Sequence, residues 1–231
     1  MRIWDAELLT AKSGLSPVTD GLLFWLDGRD DLIGVEEYGS YTPPAWATSY
    51  MFDRVNNARI DFSRLQSSGG MQKDITGLYI YLFAPSGNGN QKAVITEISG
   101  VKTIEVMFGR AKTGYNLCGG KVDASSRVFF PFYSSSTGAK LDTGVPIYNA
   151  PVHLVFTGNS TNGKPVIYQN GVVASVTGSA AVAVQSFSVT SLFELAFGTS
   201  IGSIRLYNRT LTADEVQQNI AYEESIGRTI T

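Results

Sequence analysis

The sequence predicts an all-β protein, a two-layer antiparallel sandwich of jelly-roll type closed by one short helix near the C-terminus. Three observations predict it. Hydrophobic residues make up 43% of the 231 residues and charged residues only 16%, enough apolar material for a sizeable core and too little charge for a disordered chain. Ten or more short runs rich in β-branched and aromatic residues recur with Gly, Ser, Thr and Asn between them, the pattern of a sandwich or jelly roll. The stretch "SIRLYNRTLTADEVQQNI" (203–220) passes from strand composition to helix composition without pause. The length suits one large all-β domain better than two smaller ones.

The elements follow in order. Residues 1–19 read as an N-terminal arm: "WDAELLTAK" carries a helical turn or two, which "SGLSPVTDG" breaks with Gly and Pro. The sandwich domain occupies 20–231. "GLLFWLDG" (21–28) is a near-continuous apolar run closed by Asp-Gly, as expected of a strand buried on both faces. "YGSYTPPAWATSY" (38–50) is a loop, since Pro43 and Pro44 bar it from a sheet interior. Strands are then expected at "ARIDF", "GLYIYLFA", "AVITEI", "TIEVMFG", "RVFFPFY", "PVHLVFTG", "KPVIYQ", "VVASVT", "FELAFG" and "SIRLYN". Asn170-Gly171 lies between two β-rich runs and predicts a hairpin with a type I′ turn, whose twist matches paired strands.

The ending has a local explanation. Thr212 and Glu215 stand three apart, the spacing of a capping box, and Leu211 and Val216 flank them as a hydrophobic staple. Asp214 and Glu215 place negative charge at the positive end of the helix dipole, and Gly227 is the C-terminal stop. Val216 and Ile220 give the helix one apolar stripe to lay against the sandwich as a peripheral plug.

Composition also narrows function. The net charge is −2 with Lys and Arg scattered, so no basic face is available for nucleic acid. Apolar runs such as "AAVAV" (180–184) are far shorter than a membrane span, and "MRIWDAELLTAK" has acidic residues where a signal peptide has an unbroken apolar stretch. The single cysteine, Cys118, allows no internal disulfide, and the sequons at Asn159 and Asn208 matter only in a glycosylating compartment. One His and one Cys leave no nitrogen/sulfur metal site. Calcium would need oxygen ligands, which "DGRDD" (27–31) with Asp53, Asn56 and Asn57 could supply, although such clusters more commonly form turns. No cofactor and no metal are expected.

The C-terminal stretch S-I-R-L-Y-N-R-x-L-T-x-x-E, as it stands at 203–215, resembles the end of the laminin-G-like, concanavalin A-like jelly-roll family. "DGLLFWLDG" (20–28) resembles that family's first strand, "MFDRVNNARIDF" (51–62) its F-D-G-x-x-D-Y-I pattern, and "PVHLVFTGNSTNGKPVIYQNGVVAS" (151–175) its W-H-H…L-Y-x-N-G hairpin. The resemblance spans about 20–226. Arg54 stands where the family has Gly, Asn57 where it has Asp, and the Trp before the His153 region is missing, which weakens the transfer of a calcium site. The resemblance implies a concanavalin A-like jelly roll of the kind found in phage structural proteins.

Relatives by fold include glycoside hydrolases, whose retaining members carry E-x-D-x-E on one strand, a spacing that sets two carboxyl groups on one face about 5 Å apart. The nearest segment here offers Glu105, Met107 and Gly109, so that pair is absent. Glu97 and Glu105 could meet across neighbouring strands but read as a solvated face. "GTSIG" (198–202) matches G-x-S-x-G around Ser200, yet a strand follows where a nucleophile elbow needs a helix. The one candidate base, His153, sits in "VHLVF" as a core or pairing histidine. "SGNGN" (86–90) is a turn, lacking the third glycine and the helix of a dinucleotide loop.

Aromatic residues are the remaining lead. Tyr38, Tyr41, Trp46 and Tyr50 crowd the Pro-containing loop, where they would stack on a sugar or anchor an interface, or else pin the loop to the sandwich. The expectation is a non-catalytic structural or interaction module: a virion decoration, fibre or tail component that associates with an assembly or sister subunits as a homo-oligomer. Trp4, Leu8 and Leu9 of the arm would be the docking anchors. A glycan-binding module using Tyr38, Tyr41, Trp46 and Tyr50 is the alternative, and a glycoside hydrolase a weaker one.

Overall fold

Odd and even positions of the central strands are buried together, and that double burial organises the molecule. In the computed structural model, residues 14–30, 50–61, 70–83, 92–110, 116–117, 120–122, 127–130, 141–146, 151–158, 165–174, 187–194 and 199–230 are described. They contain sixteen strands and one helix. The strands are β1 (Leu22–Asp27), β2 (Tyr50–Phe52), β3 (Arg59–Asp61), β4 (Gly70–Lys73), β5 (Ile80–Phe83), β6 (Lys92–Val101), β7 (Thr103–Arg110) and β8 (Asn116–Leu117). There follow β9 (Gly120–Val122), β10 (Arg127–Phe130), β11 (Leu141–Pro146), β12 (Val152–Gly158), β13 (Pro165–Gln169), β14 (Val172–Val173), β15 (Phe187–Glu194) and β16 (Thr199–Tyr207), and then helix α1 (Ala213–Ser225).

Two antiparallel eight-stranded sheets result. The first runs β14-β13-β12-β7-β16-β5-β4, with β1 pairing β16 beyond the end of β5; the second runs β11-β10-β9-β8-β15-β6-β3-β2. Side chains alternate across a strand, so Phe24, Leu26, Ile104, Val106, Phe108, Leu154, Phe156, Ile204 and Leu206 share one face of the first sheet, all at most 2% exposed. With Met51, Ile60, Val101, Val189 and Leu192, buried on the second sheet, they form the apolar interior of the sandwich. The chain is the all-β jelly-roll sandwich expected of it.

Local expectations hold at the well-marked places. Asn170 and Gly171 have φ of 51° and 77°, the two positive values of a type I′ turn, and β13 and β14 pair across them through Tyr168↔Val173 and Gln169↔Val172. Thr212 and Glu215 form the capping box, Leu211 and Val216 pack in one cluster, and Gly227 ends the helix at φ 93°.

Elsewhere the boundaries move. Of "FELAFG", Phe193 and Glu194 belong to β15, which already runs from Phe187, and 195–198 lie outside the described residues; β16 begins at Thr199, four residues before "SIRLYN". Tyr50, assigned to a loop, starts β2 and pairs Asp61. Strands β4, β8, β9 and β11 were not expected: "GMQK", "NL", "GKV" and "LDTGVP" are too short or too rich in Gly and polar residues to show an alternating pattern. Trp4, Leu8, Leu9, Tyr38, Tyr41, Trp46, Cys118, Asn159, "SGNGN" and "AAVAV" lie outside the described residues.

Candidate functional site

The other face of the first sheet is equally buried but polar. Its central row, read across the strands by register, is Tyr168, Val155, Glu105, Arg205 and Trp25. The row towards one end is His153, Met107, Ser203 and Asp27, and the row towards the other is Thr157, Thr103 and Tyr207. Helix α1 lies over these rows. Its buried residues are Val216, Asn219, Ile220, Tyr222 and Glu223, so the apolar stripe seen in the sequence carries two polar side chains at its centre.

The apolar part of the contact joins Val18, Val155, Tyr168, Tyr207, Leu211, Val216 and Ile220. Burying Val216 and Ile220 alone contributes about 1.5–3 kcal/mol each. The polar part is a charge network. Arg205 Nη1 donates to Glu105 Oε1 at 2.7 Å, and Arg205 Nη2 donates to Glu223 Oε1. Arg228, just past the helix, donates through Nη1 to Glu223 Oε2, and through Nη2 to Asp27 Oδ1 at 2.7 Å and Leu78 O at 2.8 Å. Ser203 Oγ donates to Glu223 at 2.8 Å. Asn219 Nδ2 and Tyr207 OH reach Glu105 Oε2 at 2.7 and 3.1 Å.

Towards the surface the network continues. Arg29 Nη2 donates to Asp27 Oδ2 and to Tyr222 OH, both at 2.6 Å. Arg54 pairs Asp27 at 3.0 Å and grips Asp30 with two hydrogen bonds of 2.7 and 2.5 Å. The Trp25 indole has two guanidiniums over it, Arg54 at 4.6 Å and Arg205 at 5.0 Å from the ring centroid, and meets Tyr222 edge-on. Four carboxylates (Asp27, Asp30, Glu105, Glu223) are thus matched by four guanidiniums (Arg29, Arg54, Arg205, Arg228).

Electrostatics follows from this pairing. Burial by itself pushes the Glu223 carboxyl up, but Arg228 and Arg205 overcome it and hold the group down at about 2. Burial likewise opposes ionisation of Asp27, and the guanidiniums of Arg228, Arg54 and Arg29 bring it well below the usual carboxylate range. Glu105 is lowered against its burial by Arg205 and by the His153 hydrogen bond. Burial, then the Glu105 charge, drives the Tyr207 phenol well above its ordinary value. Because Glu105 is ionised and only accepts, the 2.7 Å contact with His153 assigns the proton to His153 Nε2.

Several expectations are settled by this geometry. Glu105 is not on a solvated face: it is fully buried on β7 of the first sheet, whereas Glu97 is exposed on β6 of the second, so the two do not meet. The physical reason is α1, which covers the polar face that the sequence of β7 alone presents as open. His153 is a buried pairing histidine. Ser200 lies inside β16, paired with Tyr81 and Arg110, and has no nucleophile elbow. Within the acidic cluster, Asp27 is taken by three arginines, and Asp53 accepts from the backbone N–H of Trp25, Val55 and Asn56 at 2.8, 3.1 and 2.8 Å, while Asp31 lies outside the described residues. Among the described residues no group of three or more His, Cys, Asp or Glu could hold a metal ion.

Sequence reasoning missed Arg205, Asn219, Glu223 and Arg228. A signal was present, since "FWLD", "IEVMF", "VHLVF" and "SIRLY" each interrupt an apolar strand with one ionisable residue, and Asn219 and Glu223 sit on the Val216/Ile220 face. Of the proposed ligand residues, Tyr50 alone is described. It is half-buried on β2, which ends the second sheet among the described residues, with Phe52 at 5.4 Å in a T-shaped contact and the Arg59 guanidinium 4.3 Å from its ring centre.

Neither a protein-family profile nor a curated protein sequence matches the chain. Solved structures do. Trypanosoma rangeli sialidase in complex with the inhibitor DANA superposes with a TM-score of 0.55 at 14% identity, over 96% of this chain and 37% of the sialidase. The fold is shared. A second structure of that sialidase gives a TM-score of 0.50 at 16% identity, over 97% and 38% of the two chains. The binding domain of botulinum neurotoxin DC, in complex with rat synaptotagmin II, covers 89% of this chain and 52% of its own at 12% identity and a TM-score of 0.47. The chain spans about two fifths of the length of the sialidases.

Proposed function

We propose that the chain is a non-catalytic interaction module. One observation carries this reading: Asp27, Glu105, His153 and Glu223, the described groups best suited to acid–base work, are each 0% exposed and bonded to one another or to arginines beneath α1. A general acid or nucleophile must reach a substrate, and these groups instead hold the helix to the sheet. The module acts through its surface and its loops. The resemblance of 203–215 to jelly rolls of phage structural proteins supports a place on a virion, as a decoration, fibre or tail component in contact with sister subunits. Native mass spectrometry and the proteins that co-purify test this reading. A large homo-oligomer or particle-bound protein supports it, and a free monomer without partners overturns it.

A second reading, glycan binding, is favoured by Tyr50. Its ring is half-buried on β2, the last strand of the second sheet among the described residues, with Phe52 and the Arg59 guanidinium against it, an aromatic and cationic grouping of the kind that sugar rings stack on. Saturable binding on a glycan array that is lost in Tyr50→Ala supports this reading. Silence of the wild-type protein on such an array removes it. Glycoside hydrolysis is the weakest reading, and turnover of a polysaccharide or sialoside by the purified chain would be needed to restore it.

A further inference from the structure

The segment before β1 is held by the same side chains that hold the buried charges. Residues 15–19 belong to no strand, and Pro17 removes a donor and turns Ser16 away from helical backbone. Leu15 and Ser16 are exposed, yet Val18 is 5% exposed and packs with Val216, Ile220 and Leu211. The backbone N–H of Val18 donates to Asn219 Oδ1 at 2.7 Å, and its carbonyl lies 3.3 Å from Tyr207 OH. Gln218 Nε2 adds a donor to Ser16 O at 3.0 Å. Asn219 turns its other amide atom inwards, to Glu105 Oε2 at 2.7 Å and Tyr207 OH at 3.1 Å.

We infer that residues 15–18 are a strap whose seating is coupled through Asn219 to the seating of α1 and of the charge network beneath it. With the strap in place, both ends of the Asn219 amide are satisfied and its orientation is fixed. With the strap peeled away, Oδ1 loses the Val18 N–H, and the amide whose other end donates to Glu105 loses its anchor. No sheet ladder has to break for this to happen, because residues 15–18 belong to no strand and Ser16 and Val18 are bonded by side chains of α1 and β16. Coupling of this kind is reciprocal: anything that pulls on the chain ahead of residue 15 loosens the helix, and anything that loosens the helix frees that part of the chain.

Hydrogen exchange on the full chain tests the coupling. Val18→Pro removes the N–H that Asn219 accepts. It is expected to speed exchange of the 216–225 amides by about tenfold or more, while the Ile104–Phe108 amides at the sheet centre keep their protection. Val18→Ala with Gln218→Ala keeps the peptide clamp and trims the other contacts, so it serves if the proline variant does not fold. It is expected to give a several-fold acceleration in the same segment. In the reverse direction, Asn219→Ala is expected to expose the Leu22 amide, which donates to Thr19 O at the end of the strap. Release of residues 14–18 to a protease with unchanged exchange in α1 overturns the inference. So does a strap that stays protected in all three variants.

Discussion

Arg228 and Asp27 stand 201 residues apart in the chain and 2.7 Å apart in space, both at most 1% exposed. That bond ties the segment after the C-terminal helix to the end of the first strand, and Glu223 links it onward to Arg205 and Glu105. The polar face of the first sheet would be a poor surface to cover with a purely apolar helix, since Glu105, Arg205 and Asp27 would lose water without gaining partners. Asn219, Glu223 and Arg228 supply those partners in one register. A helix shifted by one turn would leave several buried charges unmatched, so the network fixes where α1 sits.

Arg228→Met should be strongly destabilising. It leaves Glu223 with Arg205 as its one remaining cation beside the Ser203 hydroxyl, Asp27 without its most buried cation, and the Leu78 carbonyl without its donor. Breaking a buried pair by removing one partner costs about 3–5 kcal/mol. Urea unfolding should show a lower midpoint with little change in slope. Arg228→Lys should recover only part of the loss, because one ammonium cannot reach three acceptors with the geometry of a guanidinium. A loss below about 1 kcal/mol in Arg228→Met would mean the network is not what seats the helix.

Acid should unfold the domain over a defined window. The Glu223 carboxyl sits at about 2 in the folded protein against an ordinary 4.5, and Asp27 and Glu105 are displaced in the same direction. A depressed carboxylate contributes stability that is fully present above its unfolded value and is lost as the pH falls towards its folded value. Stability should therefore be flat between about 5 and 9 and fall steeply between about 4.5 and 2, as the unfolded state takes up more protons. Unfolding midpoints measured across this range check it. Glu223→Gln should be less stable at neutral pH and show a shallower fall.

The fold was legible because its signals are local. The apolar run of β1, the Asn170-Gly171 turn and the Thr212/Glu215 box each settle their own conformation within a few residues. The site was not legible, because its meaning is non-local. Glu105 in "IEVMF" alternates as an outward residue should, and only the arrival of Arg205, 100 residues later, and Asn219, 114 residues later, turns that outward face into an interior. In "DGRDD", Asp27 and Asp30 pair with arginines that include Arg54 and Arg228, partners that no spacing within the segment shows. The weak strands β4, β8, β9 and β11 are specified by their neighbours in the sheet rather than by their own composition.

Thr212→Ala tests the cap by itself. Thr212 Oγ1 accepts from the Glu215 N–H at 3.3 Å, and the Glu215 carboxylate accepts from the Thr212 N–H at 2.8 Å and from both terminal nitrogens of Arg209. The substitution should cost about 1 kcal/mol by denaturant unfolding. Glu215→Gln should lose the Arg209 pair while keeping much of the box, and so cost less. A larger loss in Glu215→Gln than in Thr212→Ala would show that the ion pair, and not the cap, carries this helix end.

Gly171→Ala separates backbone strain from packing at the hairpin that braces α1. Gly171 has φ 77°, which any other L residue adopts at a cost. A Cβ there would also come within 2.8 Å of Ile220 Cδ1 and into contact with Gln217 Nε2, which donates to Gly171 O at 3.0 Å. The backbone term alone is worth about 1 kcal/mol, and overlap with the helix adds to it. Combining Gly171→Ala with Gln217→Ala should recover the part due to the flexible amide and leave the φ penalty and the Ile220 contact in place. A double variant as stable as Gln217→Ala alone would show that neither the turn conformation nor the fit of the hairpin against Ile220 matters to the domain.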